Sequence, residues 1–230
     1  MLDFSGLQAV VTGGTGALGR AVVKRLLAAG ALVHVPVYIP SELEGFSEAN
    51  HDACRVYEGL DRRAEEDVRG AYGAIDSLYA SIHVAGGFDM GPIEDTTLET
   101  WDHLMRLNAS TCFLCCREAA RALDDRGGRI VNVTAKPVLT PAAQMSAYAA
   151  SKAAVAALTT TLSAELASRN VWVNAVVPSI IDTPANRKAM PNADHSAWPS
   201  PEDIAETIAF LASPQNAVTR GALVPVYGRS

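Results

Sequence analysis

Short apolar runs rich in β-branched residues alternate with longer helical stretches along this whole chain. That alternation limits the possible folds more than any single motif does. Residues 10–12, 31–37, 55–57, 77–85, 129–134, 171–177 and 223–226 read as strands. Between them, residues 17–29, 61–72, 98–123, 146–168 and 201–212 read as helices. Gly30 closes the first helix, and Pro201 opens the last, where a missing N–H costs nothing. Strands separated by helices must run parallel, and strands apolar on both faces must be covered on both. The expectation is a doubly wound α/β fold of Rossmann type: a three-layer sandwich around a seven-stranded parallel sheet. With 230 residues and no visible linker, residues 1–230 are expected to form a single domain.

In such a sheet ligands sit beyond the carboxyl ends of the strands. Four segments reach that edge: the loop Gly13–Gly19, the pair Gly86-Gly87, the residues after Thr134 and those after Val177. Gly13, Gly16 and Gly19 follow a strand and open a helix. Glycines can simply end strands, but here strand, helix and Thr12 together suit a phosphate, whose charge would meet the helix N-terminus. Tyr148 and Lys152 stand one helical turn apart on one face. A phenol with an ordinary pKa of about 10 needs help to exchange protons near neutrality, and an ammonium one turn away can supply it. Taken alone, the two are an ordinary helix pair. Their place after the fifth strand, opposite a glycine loop, makes them candidates for hydride-transfer chemistry.

Together the segments Val10-Val-Thr-Gly-Gly-Thr-Gly-Ala-Leu-Gly19 and Tyr148-Ala-Ala-Ser-Lys152 resemble the short-chain dehydrogenase/reductase family, over nearly the whole chain. The resemblance implies an NAD(P)-dependent oxidoreductase acting on a small molecule. It assigns the cofactor to Gly13, Thr15, Gly16, Ala17, Leu18 and Gly19, with Ala17 in the place of the family's middle glycine. Ala85, Gly86 and Gly87 follow the fourth strand, and Pro178, Ile181 and Thr183 the sixth; Thr183 would meet the nicotinamide carboxamide. Tyr148 would be the proton donor, Lys152 would also hold the nicotinamide ribose, and Asn108 would anchor a proton-relay water. The family's usual serine is Ala135 here, and Thr134, on the opposite strand face, should point away. Thr140 or Ser146 would serve instead only if the following loop folds back.

The dihydropteridine reductases of that family also lack the serine, and four stretches look like theirs. These are Gly13-Gly-Thr-Gly-Ala-Leu-Gly19, Val84-Ala-Gly-Gly87, Ala135-Lys136 and above all the run Asp182-Thr-Pro-Ala-Asn-Arg-Lys-Ala-Met-Pro-Asn-Ala-Asp-His-Ser-Ala-Trp198. On this resemblance Phe88, Ala135, Lys136 and Asn186 would face the substrate, a small conjugated acceptor such as a quinonoid dihydropteridine. Two alternatives stand beside it: a carbonyl or alcohol substrate handled without serine, and a non-catalytic NAD(P)-binding sensor. The end of the second strand offers Val37 and Tyr38, neither acid nor base, so NAD and NADP both remain open; Glu42 and Glu44 come later.

A net charge of −6 argues against nucleic acid or an anionic membrane as partner. No basic region followed by an apolar run opens the chain, and no stretch is long enough to span a bilayer. Cys112, Cys115 and Cys116 fall inside a helical pattern with no second ligand cluster nearby, so they and Cys54 read as buried small side chains. His83, in the place of an asparagine of the family, reads as a packed side chain. No metal is expected, and a reducing cytoplasm fits the absence of a disulfide framework. The family resemblance, with many small residues in 108–123 and 147–166, implies a homodimer or homotetramer.

Overall fold

A computed structural model describes residues 2–230. Seven strands make one sheet, every neighbouring pair parallel: β1 (Gln8–Thr12), β2 (Leu32–Pro36), β3 (Cys54–Tyr57), β4 (Leu78–His83), β5 (Gly128–Val133), β6 (Val171–Pro178) and β7 (Leu223–Val226). Their order is β3-β2-β1-β4-β5-β6-β7. The winding reverses between β1 and β4, and in such a sheet the reversal marks the place beyond the carboxyl ends where ligands bind. The central strands are apolar nearly throughout because helices cover both faces.

The helices are α1 (Ala17–Ala28), α2 (Glu65–Gly73), α3 (Leu98–Leu104), α4 (Thr111–Ala122), α5 (Ser146–Glu165), α6 (Pro184–Ala189) and α7 (Pro201–Ala212). On one face α1 and α7 bury Val22, Leu26, Ile204 and Ile208 against Val11, Val33 and Ile82. On the other, α2, α4 and α5 bury Val68, Leu114, Cys115 and Val155 against Val10, Ile130 and Val173. Fully burying side chains of this size is worth about 1.5–3 kcal/mol each, which sets the sheet's register against both layers. The expected fold class is the one observed.

Element boundaries differ where local bonds outweigh periodicity. The helix expected over 61–72 starts at Glu65, because the Asp61 carboxylate accepts from Arg63 in a turn that precedes it. The long helix expected over 98–123 is interrupted by a wide π turn at Met105–Ser110. The helix expected to reach residue 168 ends at Glu165, followed by a tight turn that closes with Asn170 in the left-handed region (φ 56). Helix α6, capped by Thr183, stands where the periodicity gives no helix. Among the described residues no helix is long and apolar enough to cross a membrane.

Candidate active site

The glycine loop forms the floor of a cavity of about 480 Å³ at the carboxyl end of β1. Gly13, Thr15, Gly16, Ala17, Leu18 and Gly19 line it, together with Ala85 and Gly86 from the end of β4. Gly13 has φ +69, and a Cβ there would lie 2.8 Å from the Ala85 backbone. A Cβ on Gly19 would overlap the Gly13 carbonyl, so only glycines allow this close passage. Gly16 caps α1 without a side-chain hydrogen bond, and no acid occupies the first turn. The opening amides of a twelve-residue helix are thus left for an anion from outside the helix. A dinucleotide pyrophosphate fits this cradle on backbone geometry alone.

The far wall comes from residues whose role the sequence pattern did not reveal: Ser41, Glu42, Glu44, Arg20 and Arg62. Arg20, from α1, donates to the carbonyls of Thr15 (2.6 Å) and Glu44 (2.7 Å), and also to that of Gly45. It thereby ties the segment after β2 to the glycine loop, and Glu42 and Glu44 end up on the cavity wall. Acids and bases thus both line this wall.

Tyr148 and Lys152 lie on α5, where small Ala and Ser neighbours allow the helix to press against the sheet. The Lys152 ammonium is buried and donates to the Val133 carbonyl at 3.0 Å, at the last residue of β5. Burial pulls its pKa down to about 8. Burial pushes the Tyr148 phenol up to about 12, with neither a hydrogen bond nor a neighbouring charge offsetting it. A lysine one turn away should favour phenolate, but in the free protein desolvation dominates and the phenol holds its proton. The Phe88 ring meets Tyr148 edge-on, with centroids 4.9 Å apart. Phe88 itself is 57% exposed, on the open side of the site.

Asn108 sits in the π turn between α3 and α4. Its Oδ1 accepts from the Gly87 amide (2.9 Å), and its Nδ2 donates to the Gly87 carbonyl (3.0 Å) and to Ser151 Oγ (3.0 Å). The side chain therefore clamps the loop after β4 onto α5. A Cβ on Gly86 would stand 2.6 Å from Asn108 Oδ1 and 3.1 Å from Lys152 Nζ. Gly86, Asn108 and Lys152 thus converge on one point.

On the substrate side Ala135 is buried just past β5 and carries no hydroxyl. Thr134 points the other way and donates to the Val176 carbonyl, whereas Thr140 and Ser146 are exposed. Lys136 lies over the Tyr227 ring at 5.0 Å, so the C-terminal segment returns to this loop. Pairing β7 with β6 brings it there, a contact that no local pattern encodes. Pro178 ends β6. Thr183 caps α6, its Oγ1 accepting from the Asn186 amide at 3.2 Å, which leaves its O–H free to donate. Asn186 spends its Nδ2 on the Ile181 carbonyl (2.8 Å). Asn186 is thus tied into the α6 turn.

Comparison with known proteins agrees with this geometry. The family model for short chain dehydrogenase matches residues 8–194. D-threitol dehydrogenase of Mycolicibacterium smegmatis is 30% identical, the alignment covering 97% of this chain and 92% of that protein. Carbonyl reductase [NADPH] 2 of Sus scrofa is 30% identical over 97% of this chain and 96% of its own length. A solved short-chain type dehydrogenase/reductase from Mycobacterium ulcerans superposes with a TM-score of 0.91 at 27% identity, covering 99% of this chain and 90% of that one. Glycine cradle, buried lysine and topology thus coincide with sequence kinship: the chain belongs to the short-chain dehydrogenase/reductase family and is an NAD(P)-dependent oxidoreductase.

Proposed function

We propose that this oxidoreductase reduces a small conjugated acceptor, with Tyr148 as the one side-chain proton donor. The observation that carries this reading is the phenol pushed up to about 12 next to a strand end that offers Ala135 where a hydroxyl would polarise a carbonyl. NADH or NADPH, when bound, supplies the hydride. The chain's own residues do the rest. Tyr148 keeps its O–H through neutrality and delivers that proton to the reduced acceptor. Lys152, one helical turn away and charged below about 8, is the residue we assign to stabilise the phenolate that forms only as the proton leaves. Phe88 covers the phenol's edge and limits its access to water. In a conjugated acceptor the incoming charge is delocalised, so no second donor is required. A quinonoid dihydropteridine is such an acceptor, and the likeness of residues 182–198 to pteridine-reducing enzymes supports it. Phe88, Ala135, Lys136 and Asn186 are the residues we assign to its side of the site.

A second reading, a carbonyl or alcohol substrate handled without serine, is favoured by relatives named as carbonyl reductase and D-threitol dehydrogenase. One set of assays separates the two. Consumption of NADH or NADPH is followed with quinonoid dihydropterin and with a panel of ketones and sugars. Tyr148→Phe should cost at least about a hundredfold in turnover on the true acceptor, the usual worth of a positioned acid. Unchanged turnover would remove Tyr148 from the chemistry. Ala135→Ser should raise kcat/KM where the acceptor is a localised carbonyl, since such a donor typically contributes about a hundred- to a thousandfold, and leave it unchanged for the pterin.

The chain is further proposed to act as one unit across residues 1–230, in the cytoplasm, and as a homodimer or homotetramer. The single sheet supports the first, the free thiols of all four cysteines the second, and Phe113, exposed on α4, the third. Sedimentation that returned a monomer would refute the last.

A further inference from the structure

His83 ends β4, Asn132 lies beside it on β5, and Cys112 and Cys116 stand one turn apart on α4 above them. None of the four is more than 6% exposed. Their heteroatoms converge on one spot. Cys112 Sγ and Cys116 Sγ are 3.9 Å apart, and Cys116 Sγ is 3.5 Å from His83 Nδ1. Asn132 Oδ1 lies 3.4 Å from Cys112 Sγ, 3.5 Å from Cys116 Sγ and 2.8 Å from His83 Nδ1. Asn132 Nδ2 donates to Thr159 Oγ1 (2.9 Å), whose own hydrogen goes to the Val155 carbonyl, so the oxygen of the amide faces the cluster. Three donors therefore crowd one amide oxygen that has two lone pairs.

Those five separations approach the edges of a tetrahedron around a cation, and the sixth pair, Cys112 and His83, has its ligand atoms within 4.8 Å. Ligand bonds of about 2.3 Å to sulfur and about 2.0–2.1 Å to nitrogen or oxygen give edges of about 3.8 Å between sulfurs and about 3.5 Å from sulfur to nitrogen or oxygen. Of the five, the His83–Asn132 edge at 2.8 Å is short by about half an ångström, because a hydrogen bond now closes it. The far side of the imidazole is already supported: His83 Nε2 lies 2.8 Å from Ser81 Oγ, which in turn lies 2.7 Å from the Tyr72 hydroxyl. Ring-nitrogen partners of this kind hold metal-binding histidines in place.

We propose that His83, Cys112 and Cys116, with the Asn132 carbonyl as fourth ligand, form a buried structural zinc(II) site behind the catalytic lysine. Two S–H bonds break and two Zn–S bonds form, and two protons leave. His83 moves its proton from Nδ1 to Nε2, where Ser81 Oγ accepts it. Two thiolates neutralise the dication, so the filled site buries no net charge. The soft sulfur pair selects zinc over calcium or magnesium. Four protein ligands leave no open position for chemistry, which makes the role structural. The ion would tie α4 to β4 and β5, the elements that bracket Gly86 and Lys152. No second ligand cluster is visible along the chain because His83 and Asn132 lie on different elements from the cysteines.

The test is elemental analysis of full-length protein produced in zinc-supplemented culture and purified under reducing conditions without chelator. Wild type should carry about one zinc per chain, and so should a Cys54→Ser, Cys115→Ala control. The Cys112→Ser, Cys116→Ser variant should lose it and melt at a lower temperature. Should that variant fail to fold, wild type produced with cobalt decides: tetrahedral d–d bands with thiolate-to-cobalt charge transfer support the site, and cobalt bound without them overturns it. Folded wild type carrying less than about a tenth of a zinc per chain, or zinc retained after both replacements, would also overturn it.

Discussion

Tyr148 and Lys152 sit in the same desolvating environment, and it moves them in opposite directions. Burial disfavours whichever form is charged, so the phenol rises to about 12 and the ammonium falls to about 8. The phenol therefore stays protonated across the working range, and the lysine sets the pH limit. Its charge is complete well below about 8 and is lost as pH rises through that value. Reductive kcat/KM should be flat on the acid side and fall toward tenfold per pH unit above about 8. Lys152→Arg, whose guanidinium stays charged, should abolish that limb even if the rate is lower. A wild-type profile flat through about pH 10 would show that the lysine charge is not needed. Both residues could be read from the chain because they are neighbours on one helix. Glu42, Glu44 and Arg62 could not, since no repeat places an irregular segment on a cavity wall.

Among the elements, the segment after β2 shows how one side chain orders a stretch with little regular structure. Arg20 collects the carbonyls of Thr15, Glu44 and Gly45, and its guanidinium also lies 5.7 Å over the Phe46 ring. Hydrogen bonds to a charged group are worth about 1.5–3 kcal/mol each, part of which solvent recovers when they are lost. Arg20→Ala should therefore weaken cofactor binding by about tenfold or more, with little change in kcat at saturating cofactor. Titrating NADH and NADPH against both proteins measures it, and unchanged affinity would mean the segment holds its place without the tie. The π turn at Met105–Ser110 escaped the periodicity for a related reason. One widened turn barely disturbs an apolar pattern, yet it is this turn that presents Asn108 to Gly87. Thr111 supports the turn from within, its hydroxyl donating to the Leu107 carbonyl at 2.6 Å.

For the molecule as a whole, acid stability should depend on a group far from the chemistry. His34 is buried on β2, donating from Nε2 to Gln8 Oε1 (2.9 Å) and accepting at Nδ1 from the Tyr57 hydroxyl (2.7 Å). Burial, with a smaller push from the Arg55 charge, lowers its pKa from 6.5 to about 4. The unfolded chain binds that proton near 6.5 and the folded chain refuses it until about 4, so this contribution is complete above about 6.5 and is lost as pH falls through the window. The slope approaches about 1.4 kcal/mol per pH unit. Urea midpoints at about pH 7 and pH 5 should therefore differ more for wild type than for His34→Gln, and equal differences would reject the assignment. Alternation of strands and helices, apolar strands and a glycine turn with a tyrosine–lysine pair were enough to specify layers, direction and chemistry, because each is a local pattern with one low-energy outcome. Strand order, the cavity wall from Ser41 to Arg62, the return of Tyr227 to Lys136 and the meeting of His83 with Cys112 and Cys116 arose only in three dimensions. Each joins residues far apart along the chain, and such contacts are chosen by how buried surfaces fit together, not by the period of any one segment.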